Sequence, residues 1–331
     1  EIDSSLNKLM MDKYGNYFCQ ELLLSCSGAQ RLHILTKIEH NFIQICKDKK
    51  GTHTIQKMVD LVNLPEEENF FEKVLSGHVG KLSIDQQGTH IVQKIITSFT
   101  EENRQFAFDE IKEEFNLVSK TSHGLCVIKK LVANTTNEEN RLALVKYITD
   151  NAIQLVQDPY GNYAVQEIMD KWPEQDFKPI IEKVKNKAAQ LSIQKFSSNV
   201  VEKCIQMSNP DKRNDIIHHV ARIDKLVTVM RNSYGNYVIQ KALYLATGDA
   251  KQALADAIYE NIPNIQDKKI KVKWAQILQS SIENDLNYAG KYDLDEYLSE
   301  ASALGISKPI SQIDLNRNNS SIDSGFEMSY Q

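Results

Sequence analysis

The stretch Ser233-Tyr234-Gly235-Asn236-Tyr237-Val238-Ile239-Gln240 decides the reading of this chain, because it returns six more times. Its other copies centre on Gly15-Asn16-Tyr17, Gly51-Thr52-His53, Gly88-Thr89-His90, Gly124-Leu125-Cys126, Gly161-Asn162-Tyr163 and Ser197-Ser198-Asn199. The residue after the small hinge falls at 16, 52, 89, 125, 162, 198 and 236, a spacing of 36, 37, 36, 37, 36 and 38 residues. So steady a period predicts a solenoid, in which each repeat is one supersecondary unit that buries its apolar face by stacking on its neighbours.

Four residues before that position stand Asp12, Asp48, Asp85, Thr121, Asp158 and Asn232. Their side-chain oxygens suit the orphan N–H groups of a helix start, so each motif opens a helix; Gln194 is a weaker cap in the sixth copy. Upstream of the motif, residues 70–84 space Phe71, Val74, Leu75, Val79 and Leu82 as one buried stripe of an amphipathic segment. Each repeat therefore reads as two or three helices, and the fold class as all-α. Beyond Gln240, residues 249–259 and 268–278 are expected to form a terminal cap. Leu6 to Met11 looks too short for a complete first helix, which suggests a missing upstream repeat or cap. The array is placed at residues 1–280. Residues 281–331 form an acidic, Ser- and Asn-rich tail, expected to be mostly disordered with one helix possible over 288–304.

Net charge is −5 over 331 residues, but the tail alone carries −6, which leaves residues 1–280 at +1. Lys13, Lys50, Lys57, Lys94, Lys130, Lys203 and Lys241 lie near the motif, so a locally basic face on a near-neutral body is expected. The five cysteines lack a CxxC pair and read as reduced core residues of a cytoplasmic or nuclear protein. No apolar run is long enough for a membrane span.

Within each motif the positions i, i+1 and i+4 form one compact patch on a helix. They hold Asn16/Tyr17/Gln20, Thr52/His53/Gln56, Thr89/His90/Gln93, Leu125/Cys126/Lys129, Asn162/Tyr163/Gln166, Ser198/Asn199/Glu202 and Asn236/Tyr237/Gln240. The residues between them, such as Phe18/Cys19 and Val238/Ile239, are apolar and expected to point inward, leaving the trio facing out. A single trio of this kind is usually a solvated helix face. Five in-phase copies of a flat ring beside a glutamine instead suit a partner of stacked rings with hydrogen-bonding edges, which is single-stranded nucleic acid.

These motifs resemble the PUF (Pumilio-homology) RNA-binding repeats, over residues 1 to about 280, and in their departures resemble divergent fungal members. The resemblance implies a right-handed α-solenoid crescent that reads one base per repeat on its concave face, with RNA antiparallel to the chain. It also implies that Asn with Gln reads uracil, Ser with Glu guanine, and a small residue with Gln adenine, the middle residue stacking. Carried over, the repeats imply, from 5′ to 3′, U (Asn236, Gln240), G (Ser198, Glu202), U (Asn162, Gln166), an unread base (Leu125, Lys129), A (Thr89, Gln93), A (Thr52, Gln56) and U (Asn16, Gln20). The target is then U-G-U-n-A-A-U, or a shorter U-A-A-U where one base is skipped. The family implies a cytoplasmic regulator of mRNA 3′ untranslated regions acting in translational repression, mRNA decay or localisation. Its implied partners are deadenylase or repression factors, with self-association on RNA. No cofactor is implied.

An enzyme is the poorest alternative, since neither a phosphate-cradling glycine loop nor HExxH is present. A protein-binding armadillo or HEAT scaffold would share the helical repeat without needing ring-plus-amide trios in register. A PUF-fold ribosome-assembly factor would show most trios degraded, and one is.

Overall fold

The computed structural model describes residues 5–221, 226–283, 288, 290–301 and 303–306. Among them the secondary structure is helical throughout, with no strand. The chain divides into two compact units, residues 1–183 and 184–331, built from the same repeat. Each repeat is a short helix, a motif helix and an outer helix.

The motif helices are Gly15–Ser25, Gly51–Leu61, Gly88–Ser98, Ser122–Asn134 and Gly161–Lys171 in the first unit, and Ser197–Met207 and Gly235–Leu245 in the second. Consecutive motif helices pack side by side within each unit. Their start is built by the residues the sequence marks. Asp48 Oδ1 accepts from the N–H groups of Lys50 (2.8 Å) and Gly51 (2.7 Å), and Asp12, Asp85, Asp158 and Asn232 repeat the pattern. The hinge glycine answers to a close approach: a Cβ on Gly15 would stand 2.5 Å from the Leu9 carbonyl oxygen. In the sixth repeat Ser197 instead donates its hydroxyl to the equivalent carbonyl, Leu191, at 2.7 Å, so the serine bonds what a bare methyl would strike.

The helix before each motif is short in most repeats. Phe42–Lys47 and Val79–Ile84 have six residues, and Leu6–Met11, which looks short in the sequence, has the same length. Residues 70–84 likewise form two helices, Pro65–Leu75 and Val79–Ile84, because Gly77 takes φ +79° between them. An exception is Glu138–Gln157, where outer and following short helices run on for 20 residues.

The outer helices are joined by buried charge that the period conceals. Fifteen residues or so after the motif position stand Arg31, Glu67, Arg104, Arg141, Asp176 and Arg213. Arg31 binds Glu67 through two nitrogens at 2.8 and 3.1 Å and also donates to Asn63 Oδ1 and the Cys26 carbonyl. Arg141 meets Asp176 at 2.9 Å, and Arg104 donates to the Ile96 and Asn134 carbonyls. These ties lock successive repeats at their outer rims, while Phe42, Phe70, Phe71 and Phe99 interlock edge to face beneath.

The terminal cap is present as Gly248–Asn261 and Lys268–Ile282. Trp274 is fully buried there and donates to the Met230 carbonyl at 3.0 Å. Described residues of the acidic tail pack on the array. Lys291 and Tyr292 pack on Gly248–Asn261, Tyr292 donating to Asp256 at 2.8 Å and accepting from Gln252 at 2.8 Å, Leu294 is buried, and Asp295–Ser299 packs on Lys268–Ile282. The helix expected over 288–304 is reduced to Asp295–Ser299, since side-chain contacts to the array, rather than helix propensity, hold this segment. The remainder, residues 307–331, lies outside the described residues.

Candidate nucleic-acid interface

The trios do not all face out. Asn16, Thr52, Thr89, Asn162 and Ser198 are buried, which corrects the expectation that all three positions are presented to a partner. The reason is local chemistry at the helix start. Asn162 Nδ2 donates to the Asp158 (2.8 Å) and Pro159 (3.0 Å) carbonyls, and Asn16 and Asn236 make the same pair of bonds. Thr52 and Thr89 donate instead to the carbonyls of Gln87 and His123 in the next repeat, each at 3.3 Å.

What these buried groups do is hold the glutamine four residues on. Gln20, Gln166 and Gln240 donate Nε2 to Asn16, Asn162 and Asn236 Oδ1 at 3.1, 3.0 and 2.9 Å. Gln56 and Gln93 donate to the Thr52 and Thr89 hydroxyls at 3.4 and 3.0 Å. Gln20, Gln56, Gln93 and Gln166 thus have one amide hydrogen committed, leaving Oε1 and a second N–H in a fixed orientation, while Gln240 also donates to the Asn236 carbonyl at 3.2 Å and keeps Oε1. A donor and an acceptor side by side match the edge of a nucleobase.

The rings lie beside these amides. Tyr17 is 63% exposed, His53 is exposed, and His90 and Tyr163 are half-buried. Burial, reinforced by the imidazoles of His123 and His53, holds the pKa of His90 below its ordinary value, so its ring is neutral at neutral pH and suited to stacking. His123, which precedes the hinge Gly124, is close enough to act on His90. Lys273 of the terminal helix, which carries no periodic signal, sits 5.7 Å from the Tyr237 ring centroid.

Three positions depart from the pattern. Phe18 is 51% exposed, whereas its counterparts Thr54, Ile91, Val127, Ala164, Val200 and Val238 are fully buried. Among the described residues the first motif helix has a motif neighbour on one side only. Gln240 is 6% exposed, with Lys241 also buried, so the second edge position of the seventh repeat is more enclosed than the others. In the fourth repeat Leu125 and Cys126 are half-buried and Lys129 lies 4.0 Å from Glu167. Burial pushes the Cys126 thiol above its ordinary range, which leaves it an apolar group.

The sixth repeat carries the one acidic residue at the second edge position. Burial drives the Glu202 carboxyl up to about 7, partly offset by the Lys241 ammonium. Because this pKa is raised, the group's contribution to folding is present at acid pH and is lost as pH rises from the ordinary carboxyl value through about 7. Recognition of guanine donors needs the anion and therefore runs the other way. The preference for guanine at this position is expected to fall about tenfold from pH 8 to pH 6, and Glu202→Gln to abolish that slope. Fluorescence anisotropy with matched RNAs across pH checks this; a flat wild-type profile would show that Glu202 is not the acceptor.

Among the described residues there is no cluster of metal ligands, and no helix is long and apolar enough to cross a membrane. The sequence pattern of the Pumilio-family RNA binding repeat matches residues 6–39, 41–75, 78–112, 151–185, 187–221 and 225–259, passing over the stretch that holds Leu125, Cys126 and Lys129. A Pumilio domain-containing protein of Schizosaccharomyces pombe is 35% identical over 259 residues, which cover 78% of this chain and 38% of that protein. Pumilio homolog 12 of Arabidopsis thaliana is 33% identical over 283 residues, 85% of this chain and 47% of that protein. The chain thus spans less than half the length of these two relatives. Among solved structures, the Puf4 RNA-binding domain bound to an HO endonuclease RNA 3′ UTR recognition sequence superposes with a TM-score of 0.71 at 26% identity, covering 82% of this chain and 88% of that one. The RNA-binding domain of yeast Puf5p bound to MFA2 RNA gives 0.74 at 25% identity, covering 85% and 87%. With six matched repeats, an all-helical repeat fold and relatives of this kind, the chain belongs to the Pumilio family of RNA-binding repeat proteins, a non-enzymatic family.

Proposed function

We propose that the chain reads single-stranded RNA one base per repeat, in the 3′ untranslated regions of messages, as U-G-U-n-A-A-U or the shorter U-A-A-U. The observation that carries this is the glutamine amide held in register by the residue four before it, in five of the seven motif helices. A protein-binding scaffold has no need of that pre-orientation, because a reader of base edges gains from it directly: rotamer freedom lost before binding is not lost again on binding. The ring at the intervening position supplies a stacking surface, worth about 1–3 kcal/mol per base.

The shorter register has particular support. Its four readers, Asn162/Gln166, Thr89/Gln93, Thr52/Gln56 and Asn16/Gln20, all lie in the first compact unit, and the fourth motif helix between them offers no amide. Repression, decay or localisation of cytoplasmic messages through deadenylase or translation factors, and self-association on RNA, are the roles that fit such a reader.

The test is selection of bound sequences from a random RNA pool, followed by affinity measurements against scrambled sequences of equal composition. An enriched A-A-U with an upstream U is expected; equal affinity for scrambled RNA would overturn the reading and favour a protein-binding scaffold. Installing Leu125→Asn, Cys126→Tyr and Lys129→Gln together is expected to create a preference for U at n of roughly tenfold, the size of one good edge contact. Wild-type protein that already discriminates strongly among bases at n would show that the fourth repeat reads.

A further inference from the structure

The residue one place beyond the second edge position runs Glu21, Lys57, Lys94, Lys130, Glu167, Lys203, Lys241 along the seven repeats. From the second repeat to the seventh it is lysine except at Glu167. That exception falls beside the one repeat whose own edge residue is a lysine. Lys129 of the fourth motif helix and Glu167 of the fifth face each other across the repeat boundary, Nζ to Oε2 at 4.0 Å. In the second unit the same juxtaposition appears with its charges exchanged: Glu202 is the edge residue, and Lys241, buried on the next motif helix, is the charge that acts on it. Two boundaries thus place a charged edge residue against an opposite charge supplied by the following repeat.

We propose that this position is a further specificity determinant acting on the preceding repeat, and that Glu167 silences the fourth repeat by holding Lys129 away from RNA. The proposal rests on RNA lying along the motif helices. Lys129 is 45% exposed and Glu167 18%, so the carboxylate is the better anchored partner and the ammonium the one that is steered. A lysine released at this edge has three donors and a full charge. It can reach a phosphate oxygen or the O6 and N7 acceptors of guanine, which Leu125 and Cys126 cannot. A half-exposed pair at 4.0 Å contributes little to folding, so its removal leaves the array intact.

The experiment compares wild type, Glu167→Gln, Lys129→Gln and the double variant on synthetic U-G-U-n-A-A-U RNAs with each base at n, over a range of salt. Circular dichroism confirms that all four are folded. Glu167→Gln is expected to bind several-fold tighter at low salt, to steepen the salt dependence by about 0.7 in log–log slope for one added phosphate contact, and to favour G at n. Lys129→Gln alone is expected to match wild type, and the double variant to lose the gain. If Glu167→Gln leaves affinity, slope and base preference unchanged while wild type still selects its sequence, the inference fails and the RNA reading stands. If Lys129→Gln alone weakens binding, Lys129 already engages RNA and the inference also fails. Absence of sequence-selective binding by wild type overturns both.

Discussion

Glu67→Gln is expected to destabilise the first two repeats by about 3–5 kcal/mol, the cost of leaving a buried charge without its partner. Arg31 and Glu67 are both buried, and the carboxylate accepts from two Arg31 nitrogens as well as from the backbone N–H groups of Asn63 and Leu64 at 3.1 and 3.2 Å. An amide in its place removes the charge and turns one acceptor into a donor facing a guanidinium. The loss falls on the boundary between outer helices Gly28–Ile38 and Pro65–Leu75, and nearest-neighbour coupling in a repeat array keeps it there. Urea unfolding followed by helicity, with hydrogen exchange to locate the opening, should show the early repeats melting first. Replacing both partners with apolar residues of similar volume should recover much of the loss, because a desolvated pair is costly to break and cheap to omit. A shift below about 1 kcal/mol for Glu67→Gln would mean that the pair is hydrated, like an exposed ion pair.

Ser198→Asn with Glu202→Gln is expected to move the preference of the sixth repeat from guanine to uracil by about 1–3 kcal/mol, roughly ten- to a hundredfold. The fifth repeat shows how. There Asn162 spends Nδ2 on two backbone carbonyls and offers Oδ1 to Gln166, and the sixth motif helix starts on the same backbone geometry, with Ser198 equally buried. An asparagine at 198 would pin the new glutamine in the same orientation. The substitution also removes a carboxyl whose ionisation burial opposes, so the variant should be more stable than wild type above pH 7. Competition binding with RNAs differing at one base measures the switch; a double variant that ranks guanine and uracil as wild type does would show that this repeat does not touch RNA.

Much of the fold is legible because it rests on contacts within a few residues. Asp48 caps the N–H groups two and three places on, and the Gly15 hinge answers a carbonyl six places back, so both recur wherever the local pattern recurs. The spacing of the trios along each motif helix is local in the same sense, which is why their positions are legible in the sequence. Helix breaks were harder: the apolar stripe over residues 70–84 continues through Gly77, and only the backbone at φ +79° divides it.

The sequence by itself determined the repeat, its period and the helix starts, all encoded within single repeats. Only the tertiary structure decided that the first edge residue is buried and orients the second, that Arg31 meets Glu67 and Lys129 meets Glu167, that Gln240 is enclosed, and that residues 290–301 dock on the terminal helices. The physical reason is distance along the chain. Charge pairing and docking at these sites join residues about 35 to 40 positions apart, on neighbouring repeats or terminal segments, while the asparagines turn back on carbonyls three and four places before them, and a polar side chain at i, i+1 or i+4 looks the same in sequence whether it is covered or left free.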